Sequence, residues 1–150
     1  MDPGKSVESA NPGTVDSRDG YSSPVQAEST AKLQKAEEFL AVADTALTCD
    51  CFDAAVSLAV SAAINGSDVL CLEVLSRYST GKGHDEALSL LRKCGVAGAT
   101  VSRHLQKVLR LKTKAQYSAA RCRSKEAEEA FKHAQRLVDF VKSWLKQREQ

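Results

Sequence analysis

Hydrophobic residues recur every three to four positions through most of the chain, which is the period of an amphipathic helix. The first such stretch predicts a helix over residues 30–48, capped by Ser29 or Thr30. Its apolar positions follow helical spacing: Leu33, Ala36, Phe39, Leu40, Ala43 and Leu47. Asp50 is then a residue of the type that caps the start of a following helix.

A second helix is predicted over residues 51–77, and it is apolar on nearly every side, as expected at the centre of a bundle. Residues 65–68 read Asn-Gly-Ser-Asp, which form turns readily, so a break is the competing interpretation. We predict an unbroken helix, because the apolar pattern resumes in phase and Gly66 lets a neighbouring backbone approach. Asp68 then needs a cationic partner, which we expect from an arginine or lysine of the late helix.

Three more helical stretches follow a loop at residues 79–83, which contains two glycines. They are predicted over residues 85–93, over residues 100–120, and from near Ser124 to the end, where acidic residues fill the first turn. Gly95 and Gly98 bracket the connection between the first two of them.

Helices joined by short loops pack as antiparallel neighbours, so the predicted fold is an all-α, four- to five-helix up-and-down bundle over residues 31–150. Residues 1–30 are rich in Ser, Pro, Gly and acidic residues and lack apolar periodicity. Burial of so few apolar groups does not offset the entropy of ordering them, and we predict a disordered, acidic and polar tail.

The cysteines favour a reducing compartment. They are five, an odd number, in a chain without a secretion signal, so we expect free thiols and a cytoplasmic protein. Cys49 and Cys51 are separated by one residue, and no second close pair of Cys or His accompanies them, so no metal and no other cofactor is predicted. The apolar runs are too short to predict a membrane span.

The formal net charge of +2 conceals a separation of charge along the chain. The tail holds five acidic residues against two basic ones, whereas residues 103–125 contain eight cations and no acid: Arg103, Lys107, Arg110, Lys112, Lys114, Arg121, Arg123 and Lys125. Four of them, Arg103, Lys107, Arg110 and Lys114, fall on one helical stripe that can follow a phosphate backbone. The competing interpretation is a solvated surface whose charges pair with acids of the first helix or with Glu126, Glu128 and Glu129.

Histidine chemistry is predicted at one position. Arg77 and His84 flank a glycine-containing loop, and an arginine beside a histidine can bind a phosphodiester and move its proton. The alternative for His84 is a hydrogen-bonding residue at the start of the third helix. His104 and His133 have no partner that the sequence specifies, and we interpret both as ordinary surface histidines.

The order of these features resembles the HEPN superfamily over about residues 31–148. The resemblance rests on Phe-Asp-Ala-Ala-Val at 52–56, the loop from Arg77 to His84, Glu-Ala-Leu-Ser-Leu-Leu at 86–91, Lys-Thr-Lys-Ala-Gln-Tyr at 112–117 and the final helix. It implies a small helical bundle that forms a homodimer. Many members are metal-independent ribonucleases of toxin–antitoxin and defence systems with an Arg-x4–6-His signature, and others are non-catalytic partners of nucleotidyltransferases.

The resemblance implies an RNA-binding domain, with cleavage of RNA as its expected chemistry. Arg77 and His84 are then the catalytic pair, in which His84 transfers protons and Arg77 stabilises the charge on phosphorus. The RNA-binding residues are Arg103, Lys107, Arg110, Lys114 and Tyr117, although Tyr117 is equally expected as a core aromatic. The alternatives are a non-catalytic module that docks a nucleotidyltransferase or antitoxin and, more weakly, a tetratricopeptide-type adaptor, which the lack of a repeat disfavours.

Overall fold

The structure, a computed structural model, describes residues 23–81 and 83–149. These residues form six helices in the order α1 (Pro24–Thr48), α2 (Phe52–Leu75), α3 (Asp85–Arg92), α4 (Gly95–Leu109), α5 (Lys112–Gln116) and α6 (Ser124–Arg148). The all-α prediction is confirmed. The larger part of the predicted tail, residues 1–22, lies outside the described residues.

Four long helices make an up-and-down bundle. Lys32, near the start of α1, contacts Asp68, near the end of α2, so these two helices run antiparallel. Helix α6 runs parallel to α2, because Asp53 contacts the segment just before α6 and Glu73 contacts Arg148. Helix α4 runs antiparallel to α6, because His104 contacts His133 while the end of α4, at Lys107, shares a cleft with the start of α6, at Glu126. Helices α3 and α5 are short connecting helices on either side of α4.

Helix α1 begins at Pro24 rather than at residue 30. The side chain of Ser23 accepts a hydrogen bond of 3.0 Å from the Gln26 amide, and Pro24 occupies the first turn, where its missing N–H costs nothing. The prediction of a disordered tail was therefore wrong for residues 24–30. A Ser-Pro start signal was present, but the few apolar residues after it did not indicate a helix.

Asp50 does not cap α2. It adopts a left-handed conformation with φ of 59°, and Cys51 is the N-cap, without a side-chain hydrogen bond. Asp53, one turn later, accepts a hydrogen bond of 2.9 Å from the Cys122 amide and one of 3.2 Å from Arg121. These two bonds hold the segment before α6 against the start of α2, and the Cys122 amide lowers the pKa of Asp53.

Helix α2 is unbroken, as predicted, and forms the centre of the core. A Cβ atom on Gly66 would lie 2.7 Å from Leu137 and 3.3 Å from Val138, so the glycine does allow α6 to approach closely. The helix is long and apolar enough to span a membrane, yet 72% of its most apolar window is buried within the bundle. Such burial is consistent with the core helix of a soluble domain.

The partner of Asp68 comes from α1. Lys32 Nζ lies 2.9 Å from Asp68 Oδ2, and the two side chains are 20% and 7% exposed. The prediction that an arginine or lysine of the late helix pairs with Asp68 was wrong, because the antiparallel α1–α2 pair places Lys32 opposite Asp68. Burial raises the pKa of Asp68 even with this lysine beside it.

Gly95 and Gly98 do not bracket a loop. Helix α4 begins at Gly95, where φ is 71°, and Gly98 is buried within its first turns. A Cβ atom on Gly98 would lie 1.9 Å from the Leu91 carbonyl oxygen at the end of α3. Glycine therefore permits a tight corner between α3 and α4, and the prediction of a connection there was wrong.

Candidate nucleic-acid interface

Seven of the eight cations of residues 103–125 define a surface that we call the basic face: Arg103, Lys107, Arg110, Lys112, Lys114, Arg123 and Lys125. The eighth, Arg121, pairs with Asp53. The predicted helix over residues 100–120 ends at Arg110, which is the C-cap of α4, and a second short helix, α5, follows. Arg110 and Leu111 keep right-handed helical angles, so the chain bends without reversing. The predicted stripe of cations therefore continues from α4 into α5.

Two open clefts run along the basic face. One, of about 610 Å³, is lined by five cations, Lys107, Arg110, Lys114, Arg123 and Lys125, and by two acids, Glu126 and Glu129. The second, of about 640 Å³, is lined by His84, Arg103, Gln106, Lys107 and Arg110. Lys107 and Arg110 line both clefts, which makes them the centre of the basic face.

One cation of the stripe, Lys114, forms an ion pair. Lys114 Nζ contacts both carboxylate oxygens of Glu126, at 3.0 and 3.1 Å. The Arg123 amide, followed by Lys114, lowers the pKa of Glu126. The interpretation of a solvated, paired surface thus holds for Lys114. Within residues 23–81 and 83–149, Arg103, Lys107 and Arg110 make no salt bridge.

His84 lies at the edge of the basic face. It precedes α3, and its Nε2 is 3.2 Å from Nζ of Lys112. Because a lysine ammonium only donates, Nε2 accepts and the proton of the neutral ring is on Nδ1. Burial, and then Lys112, lower the pKa of His84.

Arg77 is exposed just beyond the end of α2, where Ser76 has φ of 60°. The described hydrogen bonds do not join it to His84, whose partner is Lys112 instead. The catalytic role of Arg77 and His84 stays a prediction. Tyr117 ends α5 and is 75% exposed, so its interpretation as a core aromatic is wrong.

A cluster that the sequence did not reveal joins α4 to α6. His104 Nδ1 lies 3.0 Å from His133 Nδ1, and His133 Nε2 lies 3.2 Å from Glu129 Oε2. His133 is buried, at 7% exposure, whereas His104 is half-buried. Burial lowers the pKa of both histidines, and Glu129 opposes this effect at His133. We call these three residues the histidine cluster.

The interpretation of His104 and His133 as ordinary surface histidines was wrong. Glu129 and His133 are four residues apart, so the sequence places them on one helix face, which is a weak signal of a contact. The contact with His104 depends on how α4 packs against α6, and this packing is not encoded in any local pattern.

The model of the HEPN domain matches residues 30–144. The chain belongs to the HEPN family. The matched range extends from α1 to the last turns of α6, so it contains the whole basic face and the histidine cluster of this HEPN domain. No curated protein matches the chain.

Proposed function

We propose that this HEPN domain binds single-stranded RNA along its basic face. The observation that supports the proposal is the position of Arg103, Lys107 and Arg110: they lie side by side, line two joined clefts and form no ion pair with the rest of the described chain. Two glutamates also line the first cleft, but Glu126 is paired with Lys114, and Glu129 contacts Lys132 and His133. Arg103, Lys107 and Arg110 therefore keep a positive potential, which the clefts focus on a phosphate backbone.

The remaining parts of the surface suit a single strand. Leu111 lies in the first cleft, and Leu88 and Leu109 line the second, so apolar surface is available beside the cations for the faces of unstacked bases. Tyr117 is exposed at the end of α5, where it can stack on a base. Lys114, paired with Glu126, contributes less than an unpaired lysine.

The variant Lys107→Ala/Arg110→Ala tests this proposal. Each phosphate contact to a single strand contributes about 0.7 to the slope of a plot of log affinity against log salt concentration. Between about 1 M and about 0.15 M salt, this slope corresponds to a gain of about fourfold in affinity for each contact. We therefore expect the double variant to bind a labelled RNA about 15-fold more weakly at about 0.15 M salt, with a slope shallower by about 1.4. Fluorescence anisotropy over a salt series measures both quantities.

The matched control is Lys35→Ala/Lys146→Ala, which removes the same charge from exposed positions on α1 and α6. It should leave affinity and slope near those of the wild type. Equal losses in both double variants would show that only net charge matters and would contradict a site on the basic face.

Wild-type protein that fails to bind RNA would favour the docking module instead. Light scattering on the same samples tests the predicted homodimer.

A further inference from the structure

A small cavity lies beside the basic face, between α2, the loop before α3 and the start of α5. This side cavity has a volume of about 170 Å³ and is lined among others by Ser67, Asp68, His84, Leu105 and Lys112. His84 also lines the second cleft of the basic face, and Lys112 belongs to the basic face itself. A strand that follows the basic face through the second cleft therefore reaches the side cavity.

The floor of the side cavity accepts hydrogen bonds. Ser67, Asp68 and Leu105 are buried, and they form this floor. Lys32 contacts Asp68 Oδ2 at 2.9 Å, and its positive charge favours the ionised carboxylate, which only accepts. The Ser67 hydroxyl donates to the Ala63 carbonyl at 2.9 Å, so its oxygen is left as an acceptor.

The mouth of the side cavity supplies donors. His84 and Lys112 are half-buried there, and Gly81 is exposed. Lys112 donates to Nε2 of His84 and keeps further N–H groups, while the proton of the neutral histidine ring is on Nδ1. Glu86 of α3 accepts hydrogen bonds from the Ser79 hydroxyl at 2.9 Å and from the Gly81 amide at 3.3 Å, which hold the loop at the mouth in place.

The volume of the side cavity suits one six-membered ring. A cavity of about 150 Å³ holds a benzene molecule. The side cavity, at about 170 Å³, is only slightly larger, so a pyrimidine base fits and the second ring of a purine does not. Ile64, Ala87 and Leu105 supply apolar surface for the faces of such a ring.

The order of acceptors and donors selects between the two pyrimidines of RNA. A base that enters from the strand keeps its ribose at the mouth, so its O2 atom lies near the mouth and the group on C4 lies at the floor. Cytosine has an amino group on C4, which donates to Asp68 and Ser67, while its O2 accepts from Lys112. Uracil has an oxygen on C4, which would face the carboxylate of Asp68 with no proton between them and would weaken binding.

We propose that the side cavity binds one unstacked cytosine of the RNA held by the basic face, with Asp68 as the residue that selects the base. This inference rests on the proposed binding of RNA to the basic face. Sequence-specific recognition of a single strand commonly uses hydrogen bonds to the edges of unstacked bases. It gives Asp68, a charged residue on the core helix, a role beyond its ion pair with Lys32.

Oligocytidylate and oligouridylate of equal length test the proposal on the full chain. Both strands carry the same phosphates, so the basic face contributes equally and the ratio of the two affinities reports the side cavity. A good contact between a side chain and a base edge discriminates by about 5-fold or more, and we expect oligocytidylate to bind about 10-fold more tightly. Fluorescence anisotropy at neutral pH measures both affinities.

The variant Asp68→Asn should bring the two affinities close together. The asparagine amide donates to O4 of uracil as readily as its oxygen accepts from the amino group of cytosine. Asp85→Asn is the matched control, because it removes the same charge from an exposed residue next to His84 that does not line the side cavity. It should change both affinities by the same factor and keep their ratio.

A strand in which 2-pyrimidinone replaces cytosine tests the wild-type protein without any substitution. This base lacks the amino group on C4 and adds no bulk. It should bind about 10-fold more weakly than oligocytidylate, because the donor to Asp68 is lost. Equal binding of these two strands would overturn the cytosine site, whether or not Asp68→Asn folds.

Failure of the side cavity and failure of the basic face give different results. Equal, salt-sensitive affinities of the wild type for oligocytidylate and oligouridylate would overturn the cytosine site and leave the proposed function standing. Absence of binding to either strand would refute the proposed function, and the cytosine site with it. A preference for cytosine that persists in Asp68→Asn would overturn the assignment of Asp68.

Discussion

Gly98→Ala is expected to lower the free energy of unfolding by about 3 kcal/mol, at the upper end of the usual cost of overpacking. The added methyl group would lie 1.9 Å from the Leu91 carbonyl oxygen and 2.9 Å from Cβ of Cys94. Backbone atoms of α3 cannot turn aside as a flexible side chain can, so α3 and α4 must separate. Alanine otherwise favours a helix over glycine by about 1 kcal/mol, and the expected result therefore has the opposite sign to helix propensity.

Urea unfolding, followed by circular dichroism, measures this effect. Gly83→Ala is the control, because no neighbouring heavy atom lies within 4 Å of its Cβ position and its φ is not in the left-handed region. It should change stability little. A Gly98→Ala protein as stable as the wild type would mean that the α3–α4 corner is wider than the structure shows.

Lys32→Met is expected to cost about 3 kcal/mol at neutral pH, because removal of one partner strands a buried charge. Asp68 is 7% exposed on its side chain, and Lys32 is its partner at 2.9 Å. Methionine keeps most of the apolar stem of lysine, so the decrease in the free energy of unfolding reports the removal of the charge. The matched control, Lys142→Met, breaks a pair with Glu37 in which both side chains are nearly half exposed, and should cost less than about 1 kcal/mol.

The pH dependence of this loss has a definite sign. Burial raises the pKa of Asp68 above its value in the unfolded chain, and loss of Lys32 raises this pKa further. The ionised carboxylate is the species that destabilises the folded variant, so the difference from the wild type should shrink as the pH falls through the raised pKa. Unfolding by urea at several pH values measures it. A difference that stays constant down to about pH 4 would contradict the burial of an ionised Asp68.

The helices could be predicted where apolar residues recur in phase with the helical period. Helix α2 was predicted through Gly66 because the pattern continued in phase, and the close packing of α6 on that glycine explains its presence. The start of α1 was missed because a Ser-Pro cap without apolar residues gives a weak signal. Gly98 was misread because glycine favours loops and close helix contacts alike, and only the position of Leu91 separates the two.

Some features of the candidate site could be predicted from the sequence, and others could not. The stripe from Arg103 to Lys114 could be predicted, since its members share one helical period. Pairing of the stripe with Glu126 was an alternative that the sequence left open, and the structure shows it for Lys114. The contact of His84 with Lys112 was not predicted, because it depends on how α5 packs against the start of α3. The contact of His104 with His133 spans 29 residues and two helices, and sequence spacing carries no information about it.

An NMR titration of the ¹⁵N-labelled protein with a short single-stranded RNA tests whether RNA binds along the basic face. Amide shifts should change along α4 and α5 and at the start of α6, with the largest changes around Lys107 and Arg110, and salt should reverse them. Shift changes confined to α1, or their absence at low salt, would contradict such binding.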